Sequence, residues 1–261
     1  MIVHFLSGLP RSGSTVLGAI LNQNPSIHVT PTSPLHHLMV KLNEGFNYCR
    51  LQHTFDEERV SEKAYRGLAE AFYADERRTV FDKHRSWPAH VDAIRRYVNP
   101  AGKIVVTIRP IAEIIASYLV LIAKDASNFV DKHLAELGCL NPTNEDRANI
   151  LWEVYLKEPY DNTKRGLECH CEDILTVEYF DLVYDPHDTI DRIYSFCGLQ
   201  KYQHRFDNLH ETAPVERDDQ WGLSDLHTVR SSLSCKSIDP ADVLPKKAIE
   251  YFRQFDLGGP W

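Results

Sequence analysis

The chain has 261 residues, of which 43% are hydrophobic and 25% charged, as is ordinary for a soluble globular protein. Its formal net charge of -8 argues against general nucleic-acid binding, because such surfaces are usually basic. No segment reaches the ~18–20 apolar residues of a membrane span, and the first residues lack the basic region of a signal peptide. We therefore expect a cytoplasmic protein, and we see no linker that would divide residues 1–261 into separate domains.

Strand-like apolar runs alternate along the chain with helical patterns. In chain order the predicted elements are strand Ile2–Ser7, helix Gly13–Asn22, helix Glu57–Tyr73, strand Thr79–Asp82, helix Pro88–Val98, strand Lys103–Ile108, helix Ile111–Lys124, a helix through Ile150 to Leu156, strand Leu175–Tyr179 and helix Thr189–Cys197. Residues 125–145 look irregular, and the tail after Gln200 has no strong period. The alternation predicts an α/β fold with a central parallel sheet flanked by helices.

The loop Gly8-Leu-Pro-Arg-Ser-Gly-Ser-Thr15 joins the first strand to the first helix. Its glycines permit a tight backbone whose N–H groups point at one anion, and the helix start adds partial positive charge. The ATPase loop has the pattern G-x-x-x-x-G-K-[ST], in which the lysine reaches the β/γ-phosphates. Here Ser14 takes the place of that lysine, and Arg11 comes earlier. The loop is therefore predicted to bind a phosphate donor other than a nucleoside triphosphate.

A second basic position follows the strand Lys103–Ile108, where Arg109-Pro110 precedes a helix that carries Ser117. An arginine at the carboxyl end of a strand lies where α/β folds bind ligands. A Mg²⁺-dependent triphosphatase usually has a strand that ends in a metal-binding Asp. The short strand does end in Asp82, but Lys83 and His84 follow it, which is a poor setting for a cation. The sequence thus predicts phosphate chemistry without Mg²⁺, and its six cysteines form no C-x-x-C pair, so that we predict no metal site.

Three motifs in order resemble those of the sulfotransferases that use 3′-phosphoadenosine-5′-phosphosulfate (PAPS). Pro10-Arg-Ser-Gly-Ser-Thr-Val-Leu17 is similar to their 5′-phosphosulfate loop, and Arg109-Pro110 with Ser117-Tyr118 is similar to their 3′-phosphate motif. The segment from Val177 to Pro186, continuing to Phe196-Cys-Gly198, resembles their Y-E-D-L…P…F-x-G segment, with Phe180 in place of the usual Glu.

The resemblance implies an α/β fold with a central parallel sheet and PAPS as the donor cofactor. It implies that the 5′-phosphosulfate is held by Arg11, Ser12, Gly13, Ser14 and Thr15. It also implies that Arg109 and Ser117 hold the 3′-phosphate and that Tyr179 lies near the adenine. A late basic residue often contributes to the 3′-phosphate site in this family, and both Arg230 and Lys236 are candidates.

Transfer of a sulfuryl group to an alcohol needs a base for the hydroxyl proton and cations that stabilise the oxygens. Lys83-His84-Arg85-Ser-Trp-Pro88 resembles the Lys-x-His-x-Pro stretch of cytosolic sulfotransferases in a different register. His84 is the predicted base, with Lys83 or Arg85 and Arg11 as oxyanion stabilisers. The rival bases are His28, His36, His37 and Glu44.

The leading hypothesis is a sulfotransferase that moves the sulfuryl group from PAPS to a hydroxyl by in-line displacement. The alternatives are a non-catalytic nucleotide-binding or interaction protein with the same fold, and a small P-loop kinase that uses ATP and Mg²⁺. The acceptor is expected to be a small molecule or a saccharide, bound by the segments 26–60 and 125–145 and the tail after Gln200. Aromatic residues in these segments, which would suit an aromatic or lipid-like alcohol, are Phe46, Tyr48, Phe55 and Phe129.

Overall fold

The computed structural model describes residues 2–49, 57–74, 76, 78–210, 218–234 and 238–258. The strands are β1 (Val3–Gly8), β2 (Ile27–Thr32), β3 (Thr79–Lys83), β4 (Ile104–Ile108) and β5 (Ile174–Glu178). They form one sheet in the order β2-β3-β1-β4-β5, and each neighbouring pair is parallel. The predicted α/β fold with a central parallel sheet flanked by helices is confirmed.

Helices connect and flank the strands. They are α1 (Ser14–Leu21), α2 (Leu35–Cys49), α3 (Glu57–Phe72), α4 (Val91–Ala93), α5 (Ile111–Ile122), α6 (Phe129–Glu136), α7 (Asn144–Ile150), α8 (Lys157–His170), α9 (Tyr179–Tyr184), α10 (Pro186–Phe196) and α11 (Lys246–Arg253). A π-helical segment, Leu151–Leu156, joins α7 to α8, so that one helical rod extends far beyond the predicted end at Leu156. Within the described residues, no helix combines the length and the apolar character needed to cross a membrane.

The sheet is covered on both faces, and this explains the continuous apolar runs of its strands. Phe5 and Leu6 are neighbours in β1, and both are fully buried, but they belong to different apolar clusters. Val105 packs in the cluster of Leu6, whereas Ile104 and Val106 pack in the cluster of Phe5. Successive side chains of a strand point to opposite faces, so a strand buried on both faces cannot show polar alternation.

Residues 125–145, which the sequence analysis leaves irregular, contain the helix α6 and the start of α7. Asn128 caps α6 by accepting a hydrogen bond from the backbone N–H of Asp131, and Thr143 forms a reciprocal capping box with Asp146 at α7. The prediction was wrong because α6 has only eight residues, too few for a clear apolar period. Its caps, rather than its periodicity, were the usable signal.

The segment after the first helix also forms regular structure that the sequence analysis left unassigned. It contains the edge strand β2 and the helix α2. Pro31 lies within β2, and proline is tolerated there because an edge strand has N–H positions that need no partner in the sheet. The tail likewise ends in the helix α11, which packs against α5.

Candidate active site

The site lies where the direction of the chain connections changes. The chain passes from β1 to β2 and β3 on one side of β1, and β4 and β5 lie on the other side. In open α/β sheets ligands bind outside the carboxyl ends of the strands at such a switch point. A cavity of about 780 Å³ occupies this position. The predicted site residues that line it are Arg11, Gly13, Ser14, Thr15, Lys83, His84, Arg109, Ser117, Tyr179 and Arg230.

Close packing holds the loop after β1 in a shape that requires glycine. Gly8 has φ 151°, and a Cβ atom there would lie 2.1 Å from the hydroxyl oxygen of Thr107. Gly13 has φ 102°, and a Cβ atom there would lie 3.1 Å from the ring of Tyr179. Arg11 also has a left-handed backbone, with φ 63°. The loop therefore passes very close to β4 and presents the first turn of α1 to the cavity.

Ser12 has a different place from the one predicted. Its side chain is fully buried, and its hydroxyl donates to the carbonyl oxygen of Leu9 at 2.5 Å and lies 2.7 Å from the hydroxyl of Thr107. Ser12 is absent from the cavity wall, whereas Ser14 and Thr15 line it. The side chain of Ser12 thus fixes the loop against β4. The loop hydroxyls that face the cavity are those of Ser14 and Thr15.

Arg109 is held on three sides at the end of β4. Its Nε donates to the Glu113 carboxylate at 3.1 Å, and its Nη1 donates to the backbone oxygen of Arg11 at 3.3 Å. The guanidinium carbon lies 4.3 Å from the ring centroid of Tyr179, in cation–π contact. The third nitrogen, Nη2, is buried and has no hydrogen-bond partner among the described residues. A buried donor without a partner is costly, and an anionic ligand is the partner that its charge favours.

Arg11 brings the loop, α5 and the tail together. Its Nε donates to the hydroxyl of Ser117 at 3.2 Å, and its Nη1 donates to the carbonyl oxygen of Leu226. Burial lowers the pKa of Arg11, and the positive charges of Arg109 and Arg230 lower it further. The guanidinium groups of Arg109 and Arg230 therefore repel that of Arg11, and a bound anion would relieve this repulsion. Lys236, the other late candidate, lies outside the described residues.

Lys83 lies at the end of β3, beside the start of α1. β3 is hydrogen-bonded to β1, with Lys83 opposite Leu6. The Nζ of Lys83 donates a hydrogen bond to the Thr15 hydroxyl at 3.2 Å. The structure therefore places a lysine ammonium group beside the start of α1, although the loop before α1 carries Ser14 in the usual lysine position.

His84 lines the cavity, but its hydrogen bonding differs from that of a base. Its Nδ1 accepts the backbone N–H of Ser86 at 3.2 Å, so the neutral ring carries its hydrogen on Nε2. Burial, with the positive charge of Arg85, lowers the pKa of His84 from 6.5 to about 4. The ring stacks on His36 at 4.4 Å between centroids. In this geometry His84 presents an N–H donor, and its role as base stays a prediction.

The rival bases are not in the cavity wall. His36 is sandwiched among aromatic rings, and burial lowers its pKa to about 3. His28 contacts Arg78 at 3.1 Å, and Glu44 pairs with Lys41 on an exposed helix face.

Asp82, at the end of β3, is also directed away from the cavity. Its side chain is fully buried and accepts hydrogen bonds from the indole N–H of Trp87 at 2.6 Å and from the hydroxyl of Tyr73. Burial raises the pKa of Asp82. Its oxygens are engaged in the core, so Asp82 does not provide the metal-binding carboxylate that a Mg²⁺-dependent triphosphatase places at its strand end.

An aromatic wall of the cavity, formed by Phe129, Tyr155 and Trp221, includes residues that the sequence analysis missed. Phe129 contacts Tyr155 edge-on at 4.6 Å and Trp221 at 5.5 Å between ring centroids. Of the four aromatic residues predicted for the acceptor, only Phe129 lines the cavity among those described. Phe46 packs on Tyr65, Tyr48 is largely exposed, and Phe55 lies outside the described residues.

Comparisons with known proteins agree with this fold. The family profile described as "Sulfotransferase family" matches residues 4–204, whereas a search of curated protein sequences finds no match. A mouse sulfotransferase complexed with PAP is 14% identical, with a TM-score of 0.56 over 97% of this chain and 82% of that chain. Retinol dehydratase in complex with androsterone and the inactive cofactor PAP is 16% identical, with a TM-score of 0.50 over 97% and 79% of the two chains. These likenesses show a shared fold, and because the profile covers most of its length, the chain belongs to the sulfotransferase family.

Proposed function

We propose that this sulfotransferase uses PAPS and transfers its sulfuryl group to the hydroxyl of a small-molecule or saccharide acceptor. The observation that carries the proposal is the convergence of Arg11, Arg109 and Arg230 on one cavity beside the loop that opens α1. The buried Nη2 of Arg109 needs an anionic partner, which a phosphate would supply.

We infer two anion positions in the cavity, since PAPS carries anions at the 5′ and the 3′ side of its adenosine. We assign the 5′-phosphosulfate to the loop, with Gly13, Ser14 and Thr15 at the start of α1. We assign the 3′-phosphate to Arg109, Ser117 and Arg230, and the adenine to the neighbourhood of Tyr179. Arg11 lies between these positions, since it is part of the loop and bonds to Ser117. PAP is bound in both structural relatives described above, and this supports a donor of the PAPS type.

In the proposed transfer PAPS supplies the sulfuryl group, and the protein stabilises the charge that develops as this group moves. Lys83 holds a positive charge beside Thr15 and would stabilise the negative charge that the bisphosphate gains as it leaves sulfur. His84 presents its Nε2–H to the same cavity, and the N–H groups of the first turn of α1 add further donors. These charges and donors would support an in-line displacement that does not depend on a metal ion.

The aromatic wall favours an acceptor with an apolar or aromatic body. Phe129, Tyr155 and Trp221 form one contact cluster at the cavity, and flat apolar surfaces of this kind bind rings and hydrocarbon chains. Glu158 and Asn162 also line the cavity and provide hydrogen-bonding groups at its rim, so that a saccharide stays within the proposed range.

Calorimetry with 3′,5′-adenosine bisphosphate and with ATP plus Mg²⁺ tests the donor. We expect the bisphosphate to bind and Mg²⁺-ATP to bind much more weakly, since the loop lacks its own lysine. If the protein instead binds Mg²⁺-ATP more tightly than the bisphosphate, and turns ATP over only with Mg²⁺, the kinase alternative is correct. A screen of phenols, aliphatic alcohols and sugars with ³⁵S-labelled PAPS then tests transfer. Binding of the bisphosphate without transfer to any acceptor would support the non-catalytic alternative.

A further inference from the structure

A histidine–aspartate pair lies in the tail segment that covers the cavity. The ring Nδ1 of His227 is 2.6 Å from Oδ1 of Asp218, and the backbone N–H of His227 donates to Oδ2 of the same carboxylate at 3.1 Å. The two side chains are only 14% and 17% exposed. The carboxylate thus accepts hydrogen bonds from both the main chain and the ring of His227, and these two bonds fix the orientation of the imidazole.

The hydrogen bond also fixes the tautomer. An ionised carboxylate only accepts hydrogen bonds, so Nδ1 of His227 must be the donor. A neutral imidazole that carries its hydrogen on Nδ1 has its basic lone pair on Nε2. This is the arrangement by which an aspartate prepares a histidine to take a proton and then stabilises the imidazolium that forms. His84 has the opposite tautomer, with its hydrogen on Nε2, because its Nδ1 accepts a backbone N–H.

The pair lies at the proposed reaction site rather than on a remote surface. His227 lines the same cavity as Lys83 and Thr15. The residue before it, Leu226, accepts the hydrogen bond from Arg11 through its carbonyl oxygen. Trp221 of the aromatic wall belongs to the same short segment. His227 therefore shares one cavity with the proposed acceptor wall and with the basic cluster.

We propose that His227 is the general base of the transfer and that Asp218 is its positioning residue. This inference rests on the proposed function. As the acceptor oxygen bonds to sulfur, its proton passes to Nε2 of His227. The bond between sulfur and the 5′-phosphate oxygen breaks, and 3′,5′-adenosine bisphosphate leaves with the electron pair. Asp218 stabilises the imidazolium, which then releases the proton to solvent, so that an alcohol and PAPS give a sulfate ester, the bisphosphate and one proton.

Nitrogen-15 NMR of the histidine rings tests the tautomers without any turnover. Above neutral pH we expect His227 to carry its hydrogen on Nδ1 and His84 to carry it on Nε2, with assignment from His227→Gln and His84→Gln. Asp218→Asn should shift the His227 ring signals and leave those of His84 in place. A hydrogen on Nε2 of His227 in the wild-type protein would overturn the proposal.

Kinetics test the role of the base with two acceptors, an aliphatic alcohol and the acidic phenol 4-nitrophenol. A general base contributes about 100- to 10,000-fold, so His227→Ala should lower kcat for the alcohol by such a factor. The loss should be much smaller for 4-nitrophenol, which ionises without help, and added imidazole should restore part of the rate. Asp218→Asn should also lower kcat for the alcohol strongly, because its amide can donate to Nδ1 and leave the hydrogen on Nε2, which then has no lone pair for the acceptor proton.

The control is His187→Ala, which removes an exposed histidine that packs on Phe206 outside the cavity wall. It should keep wild-type rates, and His227→Ala should bind the bisphosphate within about twofold of wild type. If His227→Ala weakens bisphosphate binding and keeps kcat, His227 is a donor-site ligand and the proposal is wrong. If His84→Ala instead loses the rate for alcohols and spares 4-nitrophenol, the base is His84. If the wild-type protein neither binds the bisphosphate nor transfers sulfate, the proposed function fails first.

Discussion

Replacing Arg109 by lysine keeps one positive charge but removes the planar fork of N–H donors. In the structure that fork donates to Glu113 at 3.1 Å and to the backbone oxygen of Arg11 at 3.3 Å, and its Nη2 has no partner among the described residues. If Nη2 is the donor for the 3′-phosphate, Arg109→Lys loses this charge-assisted hydrogen bond and keeps most of the local charge balance. The lysine ammonium can still pair with Glu113, which limits the cost to folding.

The expected loss follows from the usual strength of such a bond. A hydrogen bond to a charged group contributes about 1.5–3 kcal/mol, and 1.4 kcal/mol corresponds to a tenfold change in affinity. We therefore expect Arg109→Lys to bind 3′,5′-adenosine bisphosphate about 10- to 100-fold more weakly than wild type. Adenosine 5′-monophosphate has no 3′-phosphate, so its affinity should change by less than about threefold.

Calorimetric titration of both nucleotides into both proteins forms a closed thermodynamic cycle that isolates the 3′-phosphate. The matched control is Arg96→Lys, which alters an exposed arginine that pairs with Glu58 at 2.9 Å and does not line the cavity. Equal losses for the two nucleotides would show that Arg109 supports the loop rather than the 3′-phosphate. No loss for the bisphosphate would refute the assignment of this position.

Three further outcomes are expected. Gly8→Ala should lower the free energy of unfolding by several kcal/mol in a urea titration, because its Cβ would lie 2.1 Å from a threonine hydroxyl. The control Gly45→Ala lies on an exposed helix with open space around it, and it should raise the free energy of unfolding by about 1 kcal/mol. Burial lowers the pKa of His36 to about 3 and of His84 to about 4, so the unfolded chain binds more protons below pH 6.5. The free energy of unfolding should therefore fall as the pH decreases from 6.5 to about 4, by up to about 1.4 kcal/mol per pH unit for each ring, and His36→Gln should flatten this dependence. Trp221→Ala should raise KM for aromatic acceptors and leave bisphosphate binding unchanged, and a change in both constants would contradict its place in the acceptor wall.

The parts of the site that the sequence predicted are those encoded locally. The loop from Gly8 to Thr15 is a short motif between a strand and a helix, and Arg109 directly follows the most apolar strand. Because parallel strands end at one edge of a sheet, two such local signals were enough to place both residues at one cavity. The resemblance to a family then suggested the proposed roles, which spacing alone could not.

The parts that the sequence did not predict depend on contacts between distant residues. Arg11 bonds to Leu226, which lies far along the chain in a segment without periodicity. Asp218 begins a short 3-10 helix of the same tail and bonds to His227, which lies beyond that helix, and no apolar pattern marks such a contact. In the sequence the Ser12 hydroxyl is equivalent to those of its neighbours, but in the structure it lies against Thr107 of β4. Side-chain direction within a loop is set by the packing of the strand beside it.

The loop before α1 has serine in place of the usual lysine, and a lysine of β3 lies beside it. β1 and β3 are adjacent and parallel, so the end of β3 brings Lys83 to the start of α1, 3.2 Å from the Thr15 hydroxyl. We propose that this lysine, which a neighbouring strand carries in place of the loop, stabilises the negative charge that the departing bisphosphate gains. Removal of a group that stabilises developing charge costs about 100- to 1,000-fold in rate. Lys83→Met should therefore lower kcat by such a factor and change bisphosphate affinity by less than about tenfold. Adding a lysine within the loop, by Ser14→Lys in the Lys83→Met protein, should not restore the rate. If this double variant regains turnover with PAPS, only the positive charge matters and its position on β3 does not.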